Sequence, residues 1–120
     1  MEGVNWRRGD IVSCAVPGEF GGRPRPAVVV QSDLFNPTHS SVTLCPLTTY
    51  ERAVPLFRVS IKKSADNGLR ENSQIMIDKI STVGGSRIGA VIGRLDEQDL
   101  TRLDEALRLW LGLSSESGGG

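Results

Sequence analysis

The sequence reads Arg-Pro-Ala-Val-Val-Val-Gln from Arg25 to Gln31. Its four consecutive apolar residues, 27–30, are typical of a central strand that is buried on both faces. The preceding residues 17–26 contain three glycines and three prolines, which interrupt regular structure and predict a loop. A second strand is predicted over Val42–Leu47, after a loop that contains Asn36-Pro37. This order predicts a hairpin of two strands at the centre of a sheet.

Further short strands are predicted on both sides of the hairpin, with turn residues between them. They cover residues 11–16, 56–61, 73–80 and 88–92. Two of them, 56–61 and 73–80, alternate in polarity, which is typical of a strand with one exposed face. The segments Asp66-Asn67-Gly68 and Gly84-Gly85 predict the turns that separate these strands.

One helix is predicted near the C-terminus. Asp96 is a candidate N-cap, and Asp99 three residues later resembles the acidic half of a capping box. Gly112 is expected to end the helix. Leucines and one tryptophan recur at steps of three and four residues and predict an apolar stripe: Leu100, Leu103, Leu107 and Trp110. On this pattern, Trp110 is expected in the core.

Together these elements predict a mainly β domain with a C-terminal α-helix, an α+β fold. The sheet is expected to be small and strongly curved, either open or a partly open antiparallel barrel, with five to seven strands. The chain has 120 residues, which is enough for one domain with its own core. We expect the domain to cover residues 1–113, followed by a disordered Ser/Gly tail over residues 114–120.

Composition narrows the class of protein. Lys plus Arg and Asp plus Glu each number 14, so a strongly basic protein that coats nucleic acid is excluded. The charge is uneven, however, at +3 over residues 1–63 and −3 over residues 64–120, which leaves room for a local basic face. With two cysteines and one histidine, no metal site or metal cofactor is expected. Cys14 and Cys45 are expected to be buried free thiols.

The chain carries neither of two features that would direct it to a membrane or out of the cell. No apolar run approaches the ~20 residues that a membrane helix needs. The N-terminal residues 1–10 are polar and charged, unlike a signal peptide. We therefore expect a cytoplasmic protein with no membrane partner.

The central hairpin juxtaposes two chemically useful side chains if its register is simple. With Ser32 opposite Ser41, Arg25 faces Thr48 beside the Gly/Pro loop. A guanidinium next to a hydroxyl is the outline of a phosphate site, because both donate hydrogen bonds to phosphate oxygens. On spacing alone, the favoured interpretation is the alternative: a solvated arginine at the rim and a threonine that serves only the strand.

Four short motifs resemble the MazF/PemK family of bacterial toxins in their order and separation. They are Gly9-Asp10-Ile11-Val12, Arg25-Pro26-Ala27-Val28-Val29-Val30, Cys45-Pro46-Leu47-Thr48-Thr49 and Asp78-Lys79-Ile80. The resemblance runs from about Arg8 to Leu113. It implies an SH3-like barrel, shared with the CcdB gyrase poisons, and a homodimer as the working form.

The resemblance also implies an activity. The family consists of toxins of type II toxin–antitoxin pairs, most of them metal-independent endoribonucleases that cut single-stranded RNA at short sequences. The products would carry a 2′,3′-cyclic phosphate and a 5′-hydroxyl. The expected partners are messenger RNA and an acidic, partly disordered antitoxin, and no cofactor is expected.

Residues of the family's motifs carry over to matching positions. Arg25 matches the family's catalytic arginine, Thr48 the first threonine of its Pro-x-Thr-Thr segment, and Asp78 an acid that some members use in proton transfer. Arg25 suits stabilisation of the phosphorane charge, but its high pKa makes it a poor base. The candidate bases are Glu19 and Asp78. His39 lies in the loop at the opposite end of the hairpin and is interpreted as a surface residue.

Residues expected to contact RNA are one aromatic and five polar or basic side chains: Phe20, Arg23, Thr49, Arg52, Lys79 and Arg87. The sequence also departs from the family. Lys79 replaces a glutamine, Ser81 stands where many members have a basic residue, and Met76 replaces an arginine that is functional in one branch. That branch's acid–base pair therefore cannot be carried over.

Two other functions fit the same fold. A gyrase poison would act through the C-terminal helix and would not need Arg25, although Trp110 here is followed by three further residues and a tail. A catalytically inactive RNA-binding domain would be consistent with the Met76 and Ser81 departures. Cleavage of RNA that depends on Arg25 would distinguish the nuclease from both.

Overall fold

The computed structural model describes residues 6–15 and 23–113. Seven strands precede one helix: β1 (Asp10–Cys14), β2 (Arg25–Val29), β3 (Ser41–Thr48), β4 (Arg58–Ile61), β5 (Ser73–Met76), β6 (Ser81–Gly84), β7 (Ile88–Arg94) and α1 (Glu97–Leu111). Two short 3-10 turns, Ile77–Lys79 and Gly85–Arg87, flank β6. The predicted tail and residues Glu19 and Phe20 lie outside the described residues.

The strands form one antiparallel sheet in the order β4-β5-β3-β2-β1-β7, and β6 also pairs with β3. The long strand β3 is the centre of this arrangement. It pairs with β2 on one side and, at different points along its length, with β5 and β6. The predicted fold class is confirmed. Within the described residues the sheet is an open path with β4 and β7 at its ends, rather than a closed barrel.

The predicted hairpin register is confirmed. Ala27 pairs with Pro46, Val28 with Cys45 and Val29 with Leu44. Continued by two positions, this register sets Arg25 opposite Thr48.

The apolar run of β2 is buried on both faces, as predicted. Val28 belongs to the cluster that packs between the sheet and α1, with Ile11, Cys45 and Leu103. Its two neighbours point to the opposite face, because side chains alternate along a strand. There Ala27 and Val29 join a second cluster with Val12, Val42 and Leu44, against which Trp6 packs.

The two cysteines are buried free thiols, as predicted. Burial raises the pKa of Cys45 to about 12 and also raises the pKa of Cys14, where the charge of Arg87 opposes the effect. Both thiols therefore stay protonated at neutral pH and act as small apolar core residues.

The helix begins and ends as predicted. The Asp96 side chain accepts a hydrogen bond from the Asp99 amide at 2.7 Å, and Gly112 adopts φ 71° at the C-cap. The prediction for Trp110 is wrong. The residue is 46% exposed, and its ring lies against that of Phe57, with ring centroids 5.7 Å apart. Its helical neighbours Leu109 and Leu111 are exposed as well, so the last turn of the helix lies outside the core.

Two strand predictions need correction. The strand predicted over residues 73–80 ends at Met76, because residues 77–79 adopt a 3-10 conformation in which Ile80 donates its amide to Ile77 O. Strand β6 was not predicted, because only three residues, 81–83, lie between the strand predicted over 73–80 and the turn predicted at Gly84-Gly85. Among the described residues, no helix is long and apolar enough to cross a membrane.

Candidate active site

Three strands of the sheet end side by side at the predicted phosphate site. Thr48, the last residue of β3, pairs with Gln74 of β5. On the other side of β3, the hairpin register sets Arg25 opposite the same Thr48. Arg25, Thr48 and Gln74 thus form a row across β2, β3 and β5. The sheet fixes the backbone of all three, which makes this end of the molecule a rigid support for a site.

A cleft of about 560 Å³ opens at these strand ends. Its polar lining consists of Arg23, Arg25, Thr49, Arg70, Glu71 and Ser73. Three arginines and one glutamate therefore line one space, which gives the lining an excess of positive charge. Such a surface attracts a phosphate chain.

One wall of the cleft is built by a tight turn that packs on β7. Gly68 adopts φ 71°, and a Cβ there would lie 2.3 Å from Ile92 O. A Cβ on Gly93 would lie equally close to the backbone of Asn67. The Asp66–Gly68 turn can approach β7 only because both positions are glycines, and this contact places the following residues 69–71 at the rim of the cleft.

Thr48 and Thr49 occupy different environments. Thr48 is half-buried, and its Oγ1 accepts a hydrogen bond from the Tyr50 amide at 3.1 Å. Because this bond uses only the oxygen, the Thr48 hydroxyl retains its own hydrogen for donation. Thr49 is exposed and lines the cleft directly.

Asp78 does not line the cleft. It lies in the 3-10 turn after β5, where its Oδ1 accepts a hydrogen bond from Arg58 Nε at 3.1 Å. The Arg58 side chain is only 6% exposed, and that of Asp78 is 18% exposed. The structure therefore holds Asp78 in an ion pair with β4 and does not bring it together with Arg25 among the cleft residues.

The other predicted RNA contacts are spread over the surface. Arg52 lies beside a second cleft, between the loop after β3 and α1, and both its amide and its carbonyl bond the Gln74 side chain. Lys79 and Arg87 are exposed in the two 3-10 turns. His39 is exposed in the hairpin loop, as predicted.

Two features were missed by sequence reasoning. Arg70 and Glu71 line the Arg25 cleft, but they are charged loop residues without any pattern that would mark them. The second is an apolar surface at the end of α1, where four residues out of five are 46–60% exposed: Leu109, Trp110, Leu111 and Leu113.

Within the described residues, no group of three or more His, Cys, Asp or Glu could hold a metal ion.

Comparison with known proteins gives a family match and several similar sequences, two of which are described here by their identity and coverage. The family described as "PemK-like, MazF-like toxin of type II toxin-antitoxin system" matches residues 7–111. A probable endoribonuclease MazF of Mycolicibacterium smegmatis is 43% identical over 108 residues, covering 90% of this chain and 98% of that protein. Endoribonuclease MazF9 of Mycobacterium tuberculosis is 32% identical over 117 residues, covering 91% and 98%.

A solved structure shares the fold. It is described as an endoribonuclease in complex with its cognate antitoxin from a mycobacterial species. The TM-score is 0.77 at 24% sequence identity, and the match covers 92% of this chain and 99% of the other.

Proposed function

The chain belongs to the family of PemK-like, MazF-like toxins of type II toxin–antitoxin systems, and we propose that it is an endoribonuclease that cuts single-stranded RNA at short sequences without a metal. The observation that carries this proposal is the hairpin register: continued by two positions, it sets Arg25, which lines a cleft with two further arginines, opposite Thr48 in the sheet. We propose residues 1–113 as the functional domain and the cytoplasm as its location.

The proposed reaction is attack of a ribose 2′-oxygen on the adjacent phosphorus, which displaces the 5′-oxygen of the next nucleotide. Charge builds on the non-bridging oxygens as phosphorus becomes five-coordinate. The Arg25 guanidinium donates two parallel hydrogen bonds to these oxygens, and the Thr48 hydroxyl donates a third. The sheet holds the backbone of both residues before the substrate binds, which supports the proposal because it reduces the reorganisation needed.

The proposed RNA path extends from the cleft across the surface. Arg23, in the cleft, and Thr49 would bind the phosphates next to the scissile one. The exposed side chains of Arg52, Lys79 and Arg87 are further proposed contacts, with Phe20 as a stacking residue. Glu19 and Asp78 remain the candidate proton-transfer groups that the resemblance gives.

Cleavage of a long mixed-sequence RNA in EDTA tests the proposed activity. We expect discrete fragments with 2′,3′-cyclic phosphate and 5′-hydroxyl ends, because the 2′-oxygen is the nucleophile and no metal is required. The activity should follow the protein peak through size-exclusion chromatography. Intact RNA, or 5′-phosphate ends, would contradict the proposal.

We further propose an acidic antitoxin as the physiological inhibitor. The related solved structure is that of an endoribonuclease bound to its cognate antitoxin. The charge of the cleft supports the same kind of partner here, since an acidic segment presents carboxylates to the arginines that would otherwise bind phosphates. Such a segment would compete directly with RNA.

We propose a homodimer that buries the apolar surface at the end of α1. Changing Leu111 to lysine should dissociate it, because a two-fold interface would bring the two new charges together. Lysine suits a helix C-terminus, so the fold should persist. Light scattering should give twice the 13.0 kDa of one chain for the parent protein and 13.0 kDa for the variant.

Leu34→Lys is the matched control for the dimer, because Leu34 is 76% exposed at the hairpin tip. It should leave the mass unchanged. Dissociation by Leu34→Lys but not by Leu111→Lys would place the interface elsewhere.

A further inference from the structure

The Arg25 cleft contains a carboxylate to which neither the fold nor the resemblance gives a role. We propose that Glu71 is the general base that takes the proton from the attacking ribose 2′-hydroxyl, an inference that rests on the proposed nuclease function. Of the described residues that line this cleft, Glu71 is the only one with a carboxylate. The reaction needs such a group, since the three arginines beside it stay protonated and cannot accept a proton.

The backbone of Glu71 is held firmly at the start of β5. The buried Ser73 donates its hydroxyl to Glu71 O at 2.9 Å. The intervening Asn72 accepts a hydrogen bond from the Lys63 amide on its Oδ1, also at 2.9 Å. Glu71 thus comes three residues before Gln74, the partner of Thr48, and projects from an anchored segment. An anchored backbone with an exposed side chain suits a group that must reach a substrate.

Asp78 is less well placed for the same task. Its carboxylate is engaged by the buried Arg58 and lies outside the cleft lining. To accept the 2′-proton, Asp78 would have to leave Arg58 unpaired in a buried position, which is costly. By contrast, none of the contacts described for the chain engages the Glu71 carboxylate.

The 2′-hydroxyl proton moves to a Glu71 carboxylate oxygen as the 2′-oxygen forms its bond to phosphorus. The bond from phosphorus to the 5′-oxygen breaks, and the leaving oxygen takes a proton from water. Glu71 then returns its proton to solvent. The products are a 2′,3′-cyclic phosphate and a 5′-hydroxyl, with no other reactant.

Glu71→Gln tests the proposal, because the amide keeps the shape but cannot accept the proton in this way. We expect kcat to fall by about 10²–10⁴-fold with KM within a few-fold of the parent value. Binding of an uncleavable 2′-deoxy substrate should be unchanged. Glu97→Gln, on the exposed first turn of α1, is the matched control and should cleave at the parent rate.

A substrate with sulfur in place of the 5′-bridging oxygen separates the base from a leaving-group acid, because the thiolate leaves without a proton. The Glu71→Gln defect should persist on this substrate. Its disappearance would overturn the assignment, as would a parent-like kcat in a variant of an active protein, or a defect confined to KM. Failure of the parent protein itself to cleave RNA would instead contradict the proposed function.

Discussion

Replacing Arg25 with alanine is expected to lower the rate of RNA cleavage by about 10³-fold or more. Removing one preorganised donor from a developing oxyanion costs about 10²–10³-fold in known enzymes. Arg25 presents a charged fork with two donors, so its loss should reach or exceed the upper end. The measurement is single-turnover cleavage of a short RNA that contains one site, under saturating protein. Saturation confines the comparison to the chemical step.

Two further variants separate the charge of Arg25 from its geometry. Arg25→Lys keeps the charge but loses the planar fork, so we expect it to remain at least about 10-fold below the parent. Arg23→Ala removes a guanidinium from the same cleft but away from the strand row, so it should mainly raise KM. Both residues are exposed, and the fold should therefore tolerate each change.

A parent-like rate in Arg25→Ala would show that Arg25 is not the phosphate-binding group, or that a contaminating nuclease produced the fragments. A smaller loss in Arg25→Ala than in Arg23→Ala would move the reaction centre toward the outer part of the cleft. A gyrase poison on the same fold would tolerate Arg25→Ala without loss of its toxicity.

The centre of the fold could be predicted because local patterns and tertiary structure agree there. The run 27–30 is apolar at every position, and both of its faces are in fact buried. The register assumed for the hairpin, with Ser32 opposite Ser41, is the one that the structure contains. The row of Arg25 and Thr48 follows from that register, so this part of the candidate site was accessible from the sequence.

The remainder depends on contacts between distant parts of the chain. Alternation along residues 56–61 placed Arg58 on the exposed face, but the structure buries it because Asp78, twenty residues later, neutralises its charge. The stripe of α1 predicted the buried Leu103 and Leu107 but not the point after Leu107 at which the helix ceases to be buried, which leaves Trp110 exposed. Glu71 lies at the cleft because Gly68 and Gly93 allow the preceding turn to pack closely on β7. The residues next to Glu71 in the sequence form no pattern that predicts this position.

The buried ion pair of Arg58 and Asp78 is expected to make a large contribution to the stability of the fold. Asp78→Asn should lower the free energy of unfolding by about 3–5 kcal/mol, because it leaves the nearly buried Arg58 charge without its counter-ion. Urea denaturation at one fixed protein concentration measures this effect, since a dimer makes stability depend on concentration. The 3-10 turn of residues 77–79 should loosen from β4 in this variant, because the pair joins the two elements.

A double variant shows whether the loss comes from the unpaired charge. Arg58→Met combined with Asp78→Leu removes both charges, and it should be more stable than Asp78→Asn, since no buried charge remains. Arg102→Met is the matched control. The pair of Arg102 and Asp99 has a similar separation of 3.0 Å, but the Arg102 side chain is 45% exposed, so its removal should cost less than about 1 kcal/mol. An equal loss in Arg102→Met and Asp78→Asn would show that burial does not distinguish the two pairs.

The cleavage rate of Asp78→Asn, measured at a temperature where the variant is fully folded, distinguishes a structural from a catalytic role of the Asp78 carboxylate. A rate within a few-fold of the parent fits a purely structural ion pair, whereas a loss comparable to that of Glu71→Gln would make Asp78 the proton acceptor instead.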